Sequence, residues 1–281
     1  MMSRRAPRVS KQRPLDRYPR GKCLWVSEVA EQVYCEQRVD LWLGNPGRRV
    51  SVPKQLEGTA DVERHEGLSA EGTAFHRTMS AGATRITERQ LQRLLKAGAS
   101  LTVLEMPLQH TYRGVAIVGQ ADGVCFEGSN ATCAIDYKYT ESTRLFESWR
   151  LQLVLYGYLL SRAFGVEDLV LVCAKVTSSV AAEQRTEGAA KAISDSARSV
   201  LGRDASANGV SFRHSPSGLA AHVHAFRYDA NEATRQLDHC LQYWLGERGP
   251  RPAGNSNRCV QCRYNALNLC PAPQAPFGVR S

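Results

Sequence analysis

Read from the N-terminus, apolar residues first recur at helical spacing in SEVAEQVYCEQRVDLWL, residues 27–43. A capping serine and an early glutamate predict a helix there, or a pair of short ones, carrying Cys35. Residues 44–70 are rich in Gly, Pro and charge and read as irregular chain. AEGTAFHRTMSAGA (70–83) predicts a helix bearing His76, and TERQLQRLLKAG (87–98) another, capped by Thr87 and stopped by Gly98. The period then changes. SLTVLEMPLQHTY (100–112), GVAIVGQADGVCFE (114–127) and ATCAIDYKYT (131–140) alternate or run apolar with β-branched residues, joined by RG and GSN. They predict a three-stranded meander. RLFESWRLQLVLYGYLLSRAFG (144–165) predicts an amphipathic helix closed by Gly165, and DLVLVCAKVT (168–177) a fourth strand. Residues 178–218 are Ala/Ser/Gly-rich and read as a possible insertion with one helix and a loose loop. AHVHAFRYD (221–229) predicts a strand, NEATRQLDHCLQYWLGE (231–247) the last helix, and 249–281 shows no periodicity. This order predicts an α/β (α+β) fold, a central mixed β-sheet flanked by helices.

Composition narrows the picture. The 281 residues suffice for one domain of generous size, read here as residues 23–281 with a core over about 70–176. No run of about eighteen apolar residues occurs, so no membrane partner is expected. No signal-like apolar stretch lies near the start, so the expected location is cytoplasmic. The net charge of +9 is unevenly spread: residues 1–22 hold eight Lys/Arg and one acid, Asp16, leaving +2 for the remainder. With Pro7, Pro14 and Pro19 and little apolar content, 1–22 reads as a disordered basic arm. Such an arm can touch phosphates by counterion release, or simply be solvated.

The candidate chemistry starts in AIDYKYT (134–140). Residues two apart on a strand face one way, so Asp136 and Lys138 share a face. Alone, such a pair is more often a plain ion pair than a catalytic one. The preceding strand carries Asp122 in GQAD, and a turn near Gly128 would bring it within about one register step of Asp136. Adjacent carboxylates repel unless a cation lies between them. Mg²⁺ or Mn²⁺ takes one or two carboxylates together with water and phosphate oxygens. Glu105 in LEMPL can join or support this cluster, and His76 can supply a further ligand. Gln152 and Tyr156, four apart on a helix, can border the site and bond Lys138 or a phosphate.

The ordered set G-x-x-x-H, E, G-x-A-D, I-D-x-K, Q-x-x-x-Y resembles the PD-(D/E)xK nuclease superfamily, specifically its RecB-like branch. The resemblance implies a restriction-endonuclease-like core in which His76, Asp122 and Asp136 bind metal and Lys138 is catalytic. It adds the backbone carbonyl of Tyr137 as a further ligand, and it matches Gln152 and Tyr156 to the branch's helix motif. The D-x-K here has Asp where many relatives have Glu, which shortens the reach and keeps the charge.

Nine cysteines in a chain without an export signal are not expected to form disulfides. Cys259, Cys262 and Cys270, spaced C-x2-C-x7-C, bring three thiolates within reach of one centre. Cys35 is the best fourth ligand, with Cys23 as its substitute. The centre would then join residues 23–45 to 249–275. Cys125, Cys133, Cys173 and Cys240 read as core thiols. Spacing alone leaves zinc and an iron–sulfur cluster both open. One cysteine before the core and three after it resembles the layout of iron–sulfur RecB-type nucleases, among them the small CRISPR-associated adaptation nucleases. That resemblance implies a 4Fe-4S cluster and a role in spacer acquisition on single-stranded or end-containing DNA, alongside an integrase. A non-catalytic DNA-binding adaptor, a stand-alone repair exonuclease and an RNA-directed nuclease are the alternatives.

Overall fold

The computed structural model describes residues 12–19, 21, 23–44, 87–176, 186–203, 209–215, 221–260, 262–266 and 268–273. The elements are α1 (Pro14–Arg17), β1 (Cys23–Trp25), α2 (Val26–Tyr34), α3 (Glu36–Gly44), α4 (Glu88–Lys96), β2 (Ser100–Tyr112), β3 (Val115–Glu127) and β4 (Asn130–Tyr139). They continue with α5 (Glu147–Phe164), β5 (Val170–Val176), α6 (Glu187–Arg203), β6 (Val210–His214), β7 (Ala221–Arg227), α7 (Ala230–Trp244), α8 (Asn257–Val260) and α9 (Arg263–Ala266). The fold is mixed α/β, with a central mixed sheet flanked by helices.

Local chemistry accounts for most boundaries. Thr87 and Gln90 close α4 reciprocally: the Thr87 hydroxyl accepts from Gln90 N–H at 3.3 Å, and the Gln90 side chain accepts from Thr87 N–H at 2.8 Å. Arg113 and Gly114 both adopt positive φ, the requirement of a tight hairpin turn between β2 and β3. Gly165, at φ 68°, ends α5. Asp229 caps α7 by accepting from the N–H groups of Asn231 and Glu232 at 2.8 and 2.9 Å.

The sheet runs β1-β3-β4-β5-β7-β6, with β2 on the other edge of β3. The β1–β3 and β4–β5 pairs are parallel, and the others antiparallel. One face buries Ala134, Leu171, Cys173 and Phe226 beneath α5. The other buries Ile135, Tyr137, Val172, Ala174 and Val223 against Ala190, Ile193 and Ala197 of α6.

Four expectations change. Residues 12–19 belong to the packed protein and not to a disordered arm, because Leu15 and Tyr18 are buried and Tyr18 stacks on Trp244. Ser27 is not the cap of α2: the helix begins at Val26, and Glu28 accepts from Trp25 N–H at 3.3 Å. The segment 178–218 supplies, besides the one helix expected there, a strand: β6 pairs with β7 and forms an edge of the sheet. Finally, α5 starts at Glu147 and is buried nearly all round, not amphipathic: α2, α7 and the sheet pack against it on different sides.

Candidate functional site

On one edge of β3, β1 pairs with Ala116–Val118 and β4 with Gly123–Glu127. Between them, Gly119–Asp122, the GQAD segment, lies in a fork where β4 has turned away to follow β5. Continuing the Gly123↔Ile135 register by one step sets Asp122 across from Asp136. Asp122 Oδ2 fixes the fork by accepting from Tyr137 N–H at 2.7 Å, a charge-assisted bond between the separating strands. Both aspartates are buried, at 6% and 1% exposure. Glu105 sits across β3 from this point, where the β2–β3 ladder skips one pair between Leu104↔Gly123 and Met106↔Ala121. Its φ of 52° is uncommon for a residue with a side chain and is the kind of local strain that functional sites hold. Gln120 donates to its carboxylate at 2.7 Å.

Lys138 Nζ lies 2.8 Å from Asp136 Oδ2 and 3.1 Å from Oδ1, and donates to Gln152 Oε1 at 2.9 Å. Gln152 Nε2 in turn reaches Tyr156 OH at 3.0 Å. Burial pulls the Lys138 pKa down, but the charges of Asp136 and Asp122 outweigh it and the net shift is upward. Burial, then Asp136, Asp122 and Glu105, raise the Tyr156 phenol, so it stays protonated. Tyr156 is seated against Gly119: a Cβ there would come within 2.7 Å of its Cε1 and 2.9 Å of Val26 Cγ2. The glycine of GQAD is therefore what admits the tyrosine of Q-x-x-x-Y.

The fork thus brings together Asp122, Asp136, Lys138, Gln152 and Tyr156, with Glu105 alongside. Two neighbouring carboxylates fit a hard divalent ion that completes its shell with water and phosphate. Among the described residues, no three His, Cys, Asp or Glu side chains converge on a single ion position. His76 lies outside the described residues. The Tyr137 side chain is fully buried on the opposite face, and its backbone N–H serves Asp122.

Cys35, Cys259, Cys262 and Cys270 line one small cavity with Tyr34, Arg38 and Tyr264. Burial chiefly raises the thiols of Cys35 and Cys270; Cys262 and Cys259 raise Cys35 further, and Cys262, Cys35 and Cys259 raise Cys270. Cys23 instead pairs through β1 with Ala116 in the sheet and is not among the residues that line this cavity. Cys125, Cys133, Cys173 and Cys240 are buried. The two segments that line the cavity are bonded to each other. Arg258 donates to the last carbonyls of α2, Val33 and Tyr34, at 2.8 and 3.0 Å. Asn265 donates to Cys259 O at 2.8 Å. Four thiols are the number a tetrahedral ion or a multi-iron cluster takes, but these four line the cavity without three of them converging on one ion position.

No protein-family model matches this chain. No curated protein matches it either. A solved structure described as "Crystal structure of SSO0001" is similar over 90% of this chain and 88% of its own, at 14% identity and a TM-score of 0.44. A likeness that loose carries no argument.

Three residues escaped the sequence reading. Lys175 aligns with Lys138 across the parallel β4–β5 pair and is 3% exposed. Burial lowers its pKa, and its Nζ lies 3.0 Å from Nε2 of His224. The Trp149 ring lies within 6.0 Å of Lys138 Nζ and 5.6 Å of Lys175 Nζ. A lone lysine in an apolar strand was the one available signal. Its partners come from elements nowhere near it in sequence.

Proposed function

We propose that this chain is a divalent-metal-dependent nuclease that hydrolyses DNA at the β3–β4 fork. One observation carries the reading: Lys138 is clasped by Asp136 and Gln152 beside a second aspartate, Asp122, at a gap in the sheet. The motif order supports the finer reading, a PD-(D/E)xK, RecB-like site of the CRISPR-associated adaptation type. Asp122 and Asp136 are the residues that would hold Mg²⁺ or Mn²⁺, with His76 and the Tyr137 carbonyl as further candidates. The bound ion supplies a polarised phosphoryl oxygen and a more acidic water. Lys138, held by Asp136 and Gln152, serves as a charge stabiliser for the phosphate. Gln152 and Tyr156 hold it in place.

Cys35, Cys259, Cys262 and Cys270 are assigned to an iron–sulfur cluster of structural role, with zinc as the competing occupant. Their shared cavity supports a common centre. Iron, sulfide and zinc analysis of anaerobically purified protein decides between the two.

The test of the activity is cleavage of end-labelled single- and double-stranded DNA with Mn²⁺, Mg²⁺ or EDTA, beside Lys138→Ala. The expected result is metal-dependent cutting that falls at least about 100-fold in the variant. Equal inertness of both proteins, with DNA binding intact, replaces the nuclease by an adaptor that acts through a partner integrase.

A further inference from the structure

Two of the buried cysteines face each other. Cys125 on β3 is the register partner of Cys133 on β4, and both pack with Ile135 and Tyr137 in the layer beneath α6. Paired residues on neighbouring antiparallel strands have Cα atoms about 4.5–5.5 Å apart. A disulfide spans Cα separations of about 4.4–6.8 Å, so the register already holds this pair within bridging range. The two thiols are hydrogen-bonded to each other, and Ser194 of α6 bonds both. Thr102 of β2 lies 3.6 Å from the Cys125 sulfur.

The pair also sits at an irregularity. The ladder passes from Cys125↔Cys133 to Phe126↔Ala131, so Thr132 is an extra residue on β4, a bulge. Its hydroxyl donates to Cys125 O at 3.3 Å. Thr132 and Val170, the lateral partner of Cys133 on β5, line a cavity of about 360 Å³ with Asp195, Arg198 and Arg227. Asp195 directly follows Ser194, which bonds both sulfurs. The thiols therefore lie one residue behind a polar cavity that admits a solute about the size of water. Thr132 and Val170 stand at the starts of β4 and β5, whereas Lys138 is near the end of β4, so this cavity is not the fork.

Exposure and hydrogen bonding give the two sulfurs different parts. Cys125 keeps 5% exposure, and its bond from Cys133, helped by Thr102 and Ser194, outweighs burial and lowers its thiol. Cys133 is fully buried, and burial, then Cys125, raise its thiol. Cys240 is the contrast: burial, with Glu36 nearby, pushes its thiol up to about 12.

We infer that Cys125 and Cys133 form a reversible modification site, oxidised to a cross-strand disulfide by a hydroperoxide. The Cys125 sulfur attacks one oxygen of hydrogen peroxide. The O–O bond breaks, Cys125 becomes a sulfenic acid, and the other oxygen leaves as water with the thiol proton. The Cys133 sulfur then attacks the Cys125 sulfur, the S–O bond breaks, and a second water leaves with the Cys133 proton. The two thiols give up two electrons and the peroxide takes them. A small dithiol reverses the step by exchange. The new bond joins β3 to β4 two pairs before their ladder ends at Gly123↔Ile135, behind the fork. Nothing in this step depends on the nuclease reading.

The experiment treats full-length, anaerobically purified, reduced protein with a small molar excess of hydrogen peroxide. Catalase stops the reaction, iodoacetamide in denaturant alkylates the free thiols, and trypsin digestion without reduction precedes mass spectrometry. Both cysteines fall on one tryptic peptide, residues 114–138, which holds no other cysteine. The expected result is loss of both alkylation sites from that peptide, its mass lower by two hydrogens, and their return after dithiothreitol. Cys240 is expected to react at least about tenfold more slowly. Cys133→Ser is expected to leave Cys125 as a sulfenic acid that dimedone traps. A peptide 114–138 that stays doubly alkylated, or that is oxidised no faster than Cys240, overturns the inference. So does a sulfinic acid at Cys125, or a disulfide from either cysteine to another peptide, in place of the internal bond.

Discussion

At the residue scale, the site depends on one absent side chain. Gly119 leaves the space that Tyr156 fills, and Tyr156 positions Gln152, which positions Lys138. Gly119→Ala must displace either a ring already bonded to Gln152 or the Val26 methyl of a fully buried residue. Overpacking of this kind costs about 1–3 kcal/mol. The expected outcome is a lower urea midpoint together with a cleavage rate that falls more than the KM rises, because the loss is in the orientation of Lys138. A variant with wild-type stability and rate would refute that chain of contacts. Strand and helix periods put Asp136 with Lys138 and Gln152 with Tyr156, the turn near Gly128 brings Asp122 close, and only the resemblance of the motif order implies one site from all five. The role of Gly119 and the cations around Trp149 were not legible in sequence, because each depends on a neighbour from another element.

At the scale of elements, the N-terminal helices are joined to the C-terminal ones by a buried polar network. Glu36, buried at 5% exposure, accepts from Gln32 at 2.7 Å and from Arg251 N–H at 2.8 Å, and forms an ion pair with Arg248. Gln32 also accepts from the Trp244 indole at 2.9 Å and donates to Cys240 O at 3.1 Å. Burial pushes the Glu36 pKa up, but its bonds to Arg248, Gln32 and Arg251 outweigh this, and the net value lies below the ordinary 4.5. A depressed carboxylate contributes stability above its unfolded pKa and loses it as pH falls through the folded one. Stability should therefore drop on acidification below about 4.5 more steeply in wild type than in Glu36→Gln. Urea unfolding at stepped pH reads this, and parallel curves would show that Glu36 is not the group responsible. Glu36→Ala, which strands Arg248, is expected to cost about 3 kcal/mol at neutral pH.

At the scale of the whole molecule, α2 and the segment around α8 and α9 close over the four cysteines, although about 220 residues separate Cys35 from the other three. A shared metal centre there would bind the folded chain and not the unfolded one, so its free energy would add to folding. The expected result for Cys259→Ala is loss of the metal centre, detected by absorbance and metal analysis, with a clearly lowered thermal midpoint. Loss of metal with an unchanged midpoint and full activity would remove the structural role. Among the described residues, no helix is long and apolar enough to cross a membrane.

The sequence by itself determined what depends on neighbours close along the chain. The meander β2–β3–β4, the cap of α4, the Gly165 stop and the D-x-K pair all follow from periods and turns that span a few residues. Tertiary structure alone decided the rest. β1 and β6 are three and five residues long and count as strands only because β3 and β7 offer them partners. α1 is held by the burial of its own Pro14 and Leu15, and the burial of α5 nearly all round reflects helices brought to it from both ends of the described chain. That Cys35 and not Cys23 lines the cavity with Cys259, Cys262 and Cys270 lies in where α2 ends and β1 pairs. These outcomes depend on long-range burial and hydrogen bonding, which carry no local period for a sequence to display.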